Sequence, residues 1–501
     1  MTRPALLARA GRHAWPLALW ATVLVLPHAA AQAQTIQVNG STLTVKELVG
    51  VGRLPSHQRD RFGETFGSIS GLVADPASWK RRIDGSYTGT FYAAPDRGYN
   101  VAGTIDYTAR LNRLDIRFKP APSGATGLPQ DQVTIALTNT TRLFETLGDT
   151  RQPLSGLDPV PGGVATGGAR VVPGWPELPQ AYNGKLTLDA EGIVILRDGT
   201  RLVSDEYGPS IYRFARSGRL IGALPVAASV RPIRNNVTDY SSNNPTAGQP
   251  APAPTNPSHG RSNNQGFEGL SVSPDGQTLF VALQSAARQD GAATGAAFRD
   301  HTRLFTYSLA DLDNIVLTGE YVVRLPKFVQ GTSTLVAAQS EILALNNTQL
   351  LILPRDSNGL NVGTQQSLLR RVDLVDLRDA TNILGLDGEA VVAPGGVLNA
   401  GITPALYTPW LDINDNAQLN RFGLVNGVVD GFDNLSEKWE GLALLPALDR
   451  QNPDDYFLFV ANDNDFATTD GFQAGAAYNA GWDNPTTFLV WRVRIQQAAQ
   501  R

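Results

Sequence analysis

The 501-residue chain contains no cysteine. This absence excludes disulfide bonds, thiolate zinc sites and cysteine nucleophiles, so packing alone must stabilise the fold. The chain also lacks the Gly-x-Ser-x-Gly elbow of serine hydrolases, the glycine-rich phosphate loop and the dinucleotide-binding fingerprint. A serine triad of the hydrolase type therefore has no support in the sequence.

Histidine is scarce as well. Of the five histidines, only His57, His259 and His301 lie beyond the first 33 residues. A cluster of histidine metal ligands is therefore nearly excluded. His301 lies just before an expected strand and is a candidate catalytic acid or base, with a structural or solvated histidine as the alternative.

The N-terminal 33 residues have the pattern of an export signal. Three arginines form a basic start, residues 15–26 are apolar, and Ala31-Gln32-Ala33 is a small-residue cleavage site. The apolar stretch is short for a bilayer span, and no later segment is long enough. We predict cleavage near Ala33 and a secreted or periplasmic protein without a stable membrane span, an uncleaved anchor being the alternative.

Basic residues are too few for a nucleic-acid-binding protein. Removal of residues 1–33 removes three arginines and no acid, which leaves 39 basic and 46 acidic residues. Binding to nucleic acid depends on neutralising phosphates with basic side chains, so this class of partner is disfavoured. An acidic exported protein is a better match to a hard cation such as calcium.

A repeated unit runs through the rest of the chain: an apolar strand, a turn, a second apolar strand and a charged cluster. Such self-similarity indicates a repeat architecture, and strands as the unit indicate a β-propeller. We predict an all-β propeller of six blades, with five or seven as open alternatives. The units open at Ser70-Gly71-Leu72, Glu191-Gly192-Ile193, Glu268-Gly269-Leu270, Ser340-Glu341-Ile342 and Glu440-Gly441-Leu442.

Five of these blades are explicit, and a sixth has two candidate sources. It could come from residues 378–425, or from the N-terminal hairpin at 35–54 if it pairs with a terminal strand. We predict one domain over residues 34–501, with long loop insertions at about 119–185 and 229–265. The explicit segments are 64–118, 186–225, 266–325, 339–377 and 438–496.

The acidic ends of these units are expected to converge. In two antiparallel strands joined by a short turn, the start of the first and the end of the second lie at one edge. Carboxylates meeting around a central channel repel one another unless a cation lies among them. The predicted calcium ligands are Glu191, Glu206, Glu268, Glu341, Glu440, Asp463 and Asp465. The alternatives are glutamates that begin strands at a solvated rim, and an Asx-rich turn at residues 463–465.

Basic residues follow or precede the same strand ends. A guanidinium fork suits phosphate oxygens, which it binds by paired charge-assisted hydrogen bonds. The alternative for each is an ion pair with the neighbouring acid. The predicted phosphate-binding residues are Arg97, Arg261, Arg355 and Lys438.

At these residues the chain resembles the phytase-like family, also called "esterase-like activity of phytase". The resemblance covers most of residues 64–495, is strongest over residues 191–214 and continues through residues 264–276 and 438–442. It implies an exported, calcium-loaded β-propeller with phosphoester or ester hydrolase activity. By resemblance, Arg97 and Arg355 bind phosphate. The metal-site or active-face residues are, by the same resemblance, Glu191, Asp205, Glu206, Glu268 and Glu440.

Three functions stay open at this point. The first is a calcium-dependent phosphoester hydrolase, in which Glu268 or Asp205 accepts the proton of the attacking water. The second is a calcium-dependent lactonase or esterase with His301 near the metal. The third is a non-catalytic exported propeller that binds a phosphorylated or polymeric ligand. We expect a monomer that acts on, or binds, a small phosphorylated or ester compound.

Overall fold

A computed structural model describes residues 34–292, 295–364, 366–386, 390–393, 395–429 and 431–497. The predicted signal at residues 1–33 lies outside the described residues. In the described part of the chain, no helix is long and apolar enough to cross a membrane.

Strands dominate the secondary structure. The first half contains β1 Thr35–Val38, β2 Ser41–Leu54, β3 Gly71–Arg81, β4 Tyr87–Ala94, β5 Arg110–Phe118, β6 Val133–Arg142, β7 Phe144–Leu147, β8 Thr150–Pro153, β9 Ala169–Arg170, β10 Leu178–Pro179, β11 Ala190–Ile195, β12 Arg201–Asp205, β13 Ser210–Phe214, β14 Leu220–Ala223, β15 Ile233–Arg234 and β16 Val237–Thr238. The second half contains β17 Phe267–Val272, β18 Thr278–Leu283, β19 His301–Ser308, β20 Val316–Arg324, β21 Lys327–Gln330, β22 Ser333–Val336, β23 Ala338–Ala344, β24 Gln349–Arg355, β25 Arg371–Asp376, β26 Val392–Ala393, β27 Val397–Leu398, β28 Leu406–Asp412, β29 Trp439–Pro446, β30 Asp455–Asn462, β31 Gly471–Gln473, β32 Ala476–Tyr478 and β33 Thr486–Gln496.

Helical structure is limited to short turns. The α-helix α1 spans Asn416–Leu419 and begins at an Asp415 cap, whose side chain accepts from the Ala417 amide. The 3₁₀ turns are Val164–Thr166, Ala228–Val230, Ala296–Phe298, Leu384–Leu386 and Asn420–Phe422, and Arg288–Ala292 is a π-type turn.

Five antiparallel sheets form the blades of the propeller. Their inner strands β3, β11, β17, β23 and β29 contact one another in a closed ring. Blade 1 is β3-β4-β5-β6, blade 2 is β11-β12-β13-β14 and blade 3 is β17-β18-β19-β20. Blade 4 is β23-β24-β25-β28, and blade 5 is β29-β30-β33-β2-β1. The predicted β-propeller is confirmed, with five blades in the described residues rather than the expected six.

Ring closure explains the difference in blade count. The N-terminal strand β2 pairs with β33, which also pairs with β30, so both chain ends complete blade 5. The expected pairing of the N-terminal hairpin with a terminal strand occurs, but it adds outer strands to an existing blade. Residues 378–425, the other candidate for a sixth blade, supply β28 as the outer strand of blade 4.

The core lies between neighbouring blades. Between blades 1 and 5, Trp79 meets Phe459 edge-on with ring centroids 5.8 Å apart, and Phe118 meets Phe457 at 4.9 Å. Between blades 4 and 5, the buried tryptophans Trp410, Trp439 and Trp491 belong to one apolar cluster. A fully buried large apolar side chain contributes about 1.5–3 kcal/mol, so these clusters can stabilise a fold that has no disulfide.

The two expected insertions differ in character. Residues 119–185 include β6, the outer strand of blade 1, so this segment is partly blade and partly loop. Residues 229–265 form a long connection with one small hairpin, β15–β16. Its loop is tied to residues 104 and 158, because the Asp158 carboxylate accepts from the amides of Ser242 and Asn244 at 2.6 and 2.8 Å.

Candidate functional site

Four of the five inner strands carry a glutamate at a β-bulge. The register slips between Ala190 and Ile193, Phe267 and Leu270, Gln339 and Ile342, and Trp439 and Gly441. A bulge re-aims a side chain, and bulges are frequent beside active sites. In blade 1 the equivalent residue is Ser70, and β3 pairs regularly there, with Gly71 opposite Ala94.

The glycine that follows three of these glutamates permits close packing of the inner strands. A Cβ atom on Gly192 would lie 2.5 Å from the Cβ atom of Leu270, and one on Gly269 would lie 2.6 Å from the Ile342 amide nitrogen. Neither approach is compatible with a side chain. The Glu-Gly pair therefore places a buried carboxylate near the start of an inner strand and lets the neighbouring blade approach.

Three buried carboxylates form a first acidic group: Asp189, Glu191 and Glu206. One oxygen from each lies within 4.8 Å of the others. Arg97 contacts this group, with Nη1 at 3.0 Å from Asp189 Oδ2. Burial and the charge of Asp189 raise the pKa of Glu206 to about 8. The Glu206 Oε1 atom is buried and has no hydrogen-bond partner in the described residues.

A second acidic group consists of Asp96, Asp463 and Asp465, whose oxygens also lie within 4.8 Å of one another. Lys438 Nζ lies 2.6 Å from Asp465 Oδ1 and 3.9 Å from Asp463 Oδ2. Burial and the nearby Asp189 raise the pKa of Asp96 to about 7. One lysine thus faces three carboxylates in this group.

Glu268 connects electrostatically with the first acidic group. Burial, followed by the charges of Glu206 and Glu440, holds its pKa well above the ordinary value. Its Oε1 accepts from the Gln284 side-chain amide, whereas its Oε2 is buried without a partner in the described residues. We call the two acidic groups together with Glu268 and Glu440 the acidic face.

Glu440 has a cationic partner. The Nη2 atom of Arg355 lies 2.6 Å from Glu440 Oε1, and its Nε donates to Ser340 Oγ at 2.8 Å. Arg97, Arg355 and Lys438 all lie at the acidic face, each in an ion pair with a carboxylate. The three cations are outnumbered by the eight carboxylates of the face, which explains why burial and like charge raise so many pKa values.

Three other predicted site residues bond to the backbone. The carboxylate of Asp205 accepts from the amides of residues 189, 207 and 208 at 3.0–3.2 Å. Glu341 Oε1 accepts from the amides of Leu270 and Ile342 at 3.0 and 2.9 Å. The guanidinium of Arg261 donates to four carbonyl oxygens, those of Tyr207, Tyr240, Ser241 and Ser262. The bonds of Asp205 and Arg261 fix turns and loops, and those of Glu341 join the inner strands β17 and β23.

His301 belongs to neither acidic group in the described residues. It begins β19, and its Nδ1 lies 3.4 Å from Asp300 Oδ1. Asp300 is also bonded to Arg324 and Lys327, both at 3.0 Å. The histidine therefore lies in a separate ionic cluster.

Asp96 and Asp189 are members of the acidic groups that the sequence prediction did not include. Asp96 follows β4 as Asp463 follows β30, so its place in the repeat was a usable signal. Asp189 lies two residues before Glu191, a spacing that places side chains on one side of extended backbone. The bulge at Glu191 makes that spacing less reliable, and only the folded structure shows the contact.

A pair of tyrosines lies close to the second acidic group. Tyr99 stacks on Tyr478 with ring centroids 4.3 Å apart and an interplanar angle of 13°. Tyr478 donates to the Phe466 carbonyl at 2.8 Å, close to the second acidic group. These residues form a partly exposed aromatic wall beside the carboxylates.

In the described residues, the architecture and the site together define a β-propeller with two groups of clustered carboxylates. The chain belongs to the phytase-like family described as "Esterase-like activity of phytase", whose model matches residues 64–466. The expected family membership is confirmed.

The chain is also similar to one protein in sequence and to several solved structures in fold. An uncharacterized secreted protein of Arthroderma benhamiae is 36% identical over 474 residues, which cover 88% of this chain and 89% of the relative. Among solved structures, the α-L-arabinofuranosidase PaAbf62A of Podospora anserina is 10% identical, covers 88% of this chain and 97% of that chain, and has a TM-score of 0.29. A gluconolactonase of Xanthomonas campestris is 9% identical, with a match that covers 83% of this chain and 92% of that chain, and has a TM-score of 0.26.

Proposed function

We propose that the protein is an exported, calcium-dependent phosphoester hydrolase that acts at the acidic face. The observation that carries this proposal is the pair of acidic groups, each with three carboxylate oxygens within 4.8 Å. Family membership supports hydrolysis. Export is supported by the pattern of residues 1–33 and by the relative from Arthroderma benhamiae, whose name describes it as secreted.

The residues of the face fit a calcium ion. Calcium takes about six to eight oxygen ligands, mostly carboxylates and carbonyls. The buried, unpartnered Oε1 of Glu206 and Oε2 of Glu268 are oxygens that a cation would satisfy. The groups Asp189, Glu191, Glu206 and Asp96, Asp463, Asp465 would hold the metal, with Glu268 and Glu440 as further candidate ligands. Glu341, the other glutamate expected to bind calcium, has its Oε1 bonded to two backbone amides and is a weaker candidate.

In the proposed reaction, the metal and the side chains would have different roles. Bound calcium would supply positive charge that neutralises phosphate and favours ionisation of water. Arg97 and Arg355, each already fixed by a carboxylate, would orient phosphate oxygens. Glu268, held through one oxygen by Gln284, would accept the proton of the water that attacks phosphorus. The P–O bond to the alcohol or phenol breaks in the same reaction, and the leaving oxygen keeps the electron pair and takes a proton from solvent water.

One observation favours the phosphoester reaction over the lactone alternative. A lactonase of the expected type needs His301 beside the metal, and His301 instead lies against Asp300. Two arginines and a lysine contact the acidic face, which suits a phosphate dianion better than a neutral carbonyl.

The test is hydrolysis of 4-nitrophenyl phosphate by the mature protein, stripped with chelator and then supplied with calcium. We expect activity only with calcium, and Glu268→Gln to lower kcat by about 10²–10⁴-fold. The control is Glu177→Gln, which alters a glutamate near Tyr240, away from the acidic groups. Calcium-independent hydrolysis, or equal activity of both variants, would reject the proposal.

A further inference from the structure

A cavity of about 360 Å³ lies between blades 3 and 4 next to Arg355. Arg355 also contacts Glu440, so the cavity adjoins the acidic face. One part of its wall is polar and the other is apolar. The residues that matter here are Gln265, Ser285 and Arg299 on the polar side, and Phe328, Leu335 and Val336 on the apolar side.

Arg299 has no acidic partner in the described residues. Its Nη2 donates to Gln265 Oε1 and, at 3.4 Å, to Ser262 Oγ. Its Nε is buried without a hydrogen-bond partner. Burial and the nearby charge of Arg288 lower the pKa of Arg299. A partly buried guanidinium without a counter-charge is unfavourable, and an anion that enters the cavity would relieve this cost.

Two acids close to Arg299 in the chain or in the cavity wall are bonded to other groups. Asp300, its chain neighbour, contacts Arg324 and Lys327. Asp356, in the cavity wall, accepts from the Leu368 amide at 2.6 Å and from the Asn358 side chain at 3.0 Å. Neither carboxylate therefore neutralises Arg299.

The apolar wall limits what kind of anion fits. Phe328 lies on β21 and Leu335 on β22, the two strands of one hairpin, and they pair directly in its register. A fully hydrated inorganic anion would gain nothing from these side chains. An organic anion would place its charge on Arg299 and its apolar body against the hairpin.

We propose that this cavity receives the leaving group of the substrate, and that it selects an apolar organic group that carries a carboxylate. This inference rests on the proposed phosphoester hydrolysis, because the reacting phosphate must lie beyond Arg355 on the acidic face. Arg299 is then a specificity-determining residue. It contacts the leaving group and takes no part in the bond-breaking step.

A binding experiment tests the cavity independently of catalysis. The melting temperature of the chelator-stripped protein is measured with increasing benzoate, which has the proposed anionic and apolar parts. We expect a saturable rise in wild type that is abolished in Arg299→Gln. It should persist in Arg299→Lys, which retains the charge, and in Arg450→Gln, a matched change at an exposed arginine. No rise in wild type, or an equal rise in Arg299→Gln, would overturn the proposal.

A kinetic experiment tests the selectivity. In calcium, 4-carboxyphenyl phosphate should have a kcat/KM about ten- to a hundredfold above that of phenyl phosphate, as expected for one charge-assisted contact. Arg299→Gln should bring this ratio close to one. An unchanged ratio would contradict the role of Arg299.

The two experiments separate the two proposals. If neither ester is hydrolysed but the benzoate response still depends on Arg299, the phosphoester proposal fails and the organic-anion site stands. If phenyl phosphate is hydrolysed and benzoate binding is independent of Arg299, the hydrolase stands and the cavity assignment fails.

Discussion

Carboxylates on the outer rim of blade 5 and on the acidic face have opposite surroundings. On the rim, Asp455 contacts Lys46, Arg492 and Arg494 at 2.5, 2.7 and 2.9 Å. On the face, Glu268 is influenced mainly by burial and by other glutamates. Rim acids are neutralised by the chain itself, whereas the face has more carboxylates than cations. The difference gives the rim ion pairs a structural role and supports the proposal that a cation binds at the acidic face.

The pKa values express the same contrast. Burial alone would raise the pKa of Asp455, but hydrogen bonds from Lys46 and Arg494 outweigh it and the pKa is lowered. The pKa of Glu206 is raised to about 8 and that of Asp96 to about 7. Without a metal, carboxyls of the acidic face such as Glu206 therefore tend to stay protonated at neutral pH, whereas Asp455 on the rim is ionised.

The largest expected effect is a much weaker calcium response when the first acidic group is neutralised. In Glu191→Gln/Glu206→Gln, calcium should raise the melting temperature much less than in wild type. In wild type, calcium at a hundred times its Kd should stabilise the fold by about 2.7 kcal/mol. In chelator at pH 8 the double variant should be at least as stable as wild type, because repulsion is removed. Equal calcium responses in both proteins would remove this group from the metal site.

The next largest effect is loss of the ion pairs that Asp455 makes on the rim. Asp455→Asn leaves three cations facing an amide, and should lower the free energy of unfolding by about 1–2 kcal/mol. The loss, measured by urea denaturation, should be the same in calcium and in chelator. A loss that appears only in chelator would connect the rim to the metal site and break the comparison.

The pH dependence of stability should also separate the two regions. A carboxyl whose folded pKa is raised binds protons more tightly in the folded state, so its contribution falls as pH rises from the ordinary value through the raised one. Chelated protein should therefore lose stability between about pH 4.5 and pH 8, the range set by Glu206. Calcium should remove most of this loss. A chelated protein whose melting temperature is constant over this range would contradict the raised pKa values.

Stability measured below neutral pH tests the contribution of the rim carboxylate Asp455. Because the pKa of Asp455 is lowered, its contribution is present above the ordinary aspartate pKa and is lost as pH falls further. Asp455→Asn should therefore differ most from wild type near neutral pH and converge with it in acid. A constant difference across the whole range would assign the loss to packing.

The smallest effect concerns two equivalent positions of the repeat, Glu341 and Glu268. Glu341→Gln keeps an oxygen that accepts the Leu270 and Ile342 amides, so stability and the calcium response should change little. Glu268→Gln should weaken the calcium response, measured as the calcium concentration at half-maximal stabilisation. A stronger effect at Glu341 would show that the hydrogen-bonded glutamate is the ligand.

The sequence was sufficient for the propeller and for most of the face because both follow from the repeat. Each Glu-Gly pair marks an inner strand, and antiparallel pairing places its carboxylate at a known edge. The blade count depended on the partner of β2, which is β33 at the other end of the chain. Local patterning cannot distinguish a hairpin that forms a blade from one that completes another.

Contacts between loops could not be predicted from the spacing of residues along the chain. The carbonyls that bind Arg261 come from residues 207, 240, 241 and 262, which only the folded loops bring together. Arg299 lies in a segment rich in alanine and glycine without strand periodicity, so no pattern indicated its cavity. The repeat identifies where carboxylates converge, and tertiary structure decides which of them have partners.

The central claim is that the acidic face binds calcium, and isothermal titration calorimetry tests it most directly. Calcium is titrated at pH 7 into chelator-stripped wild type, Glu191→Gln/Glu206→Gln and Asp455→Asn, in two buffers of different ionisation enthalpy. We predict saturable binding with proton release in wild type and in Asp455→Asn, because carboxyls with raised pKa values must ionise to bind the metal. The double variant should bind more weakly and release fewer protons. Absence of binding in wild type, or identical binding by all three proteins, would contradict the account.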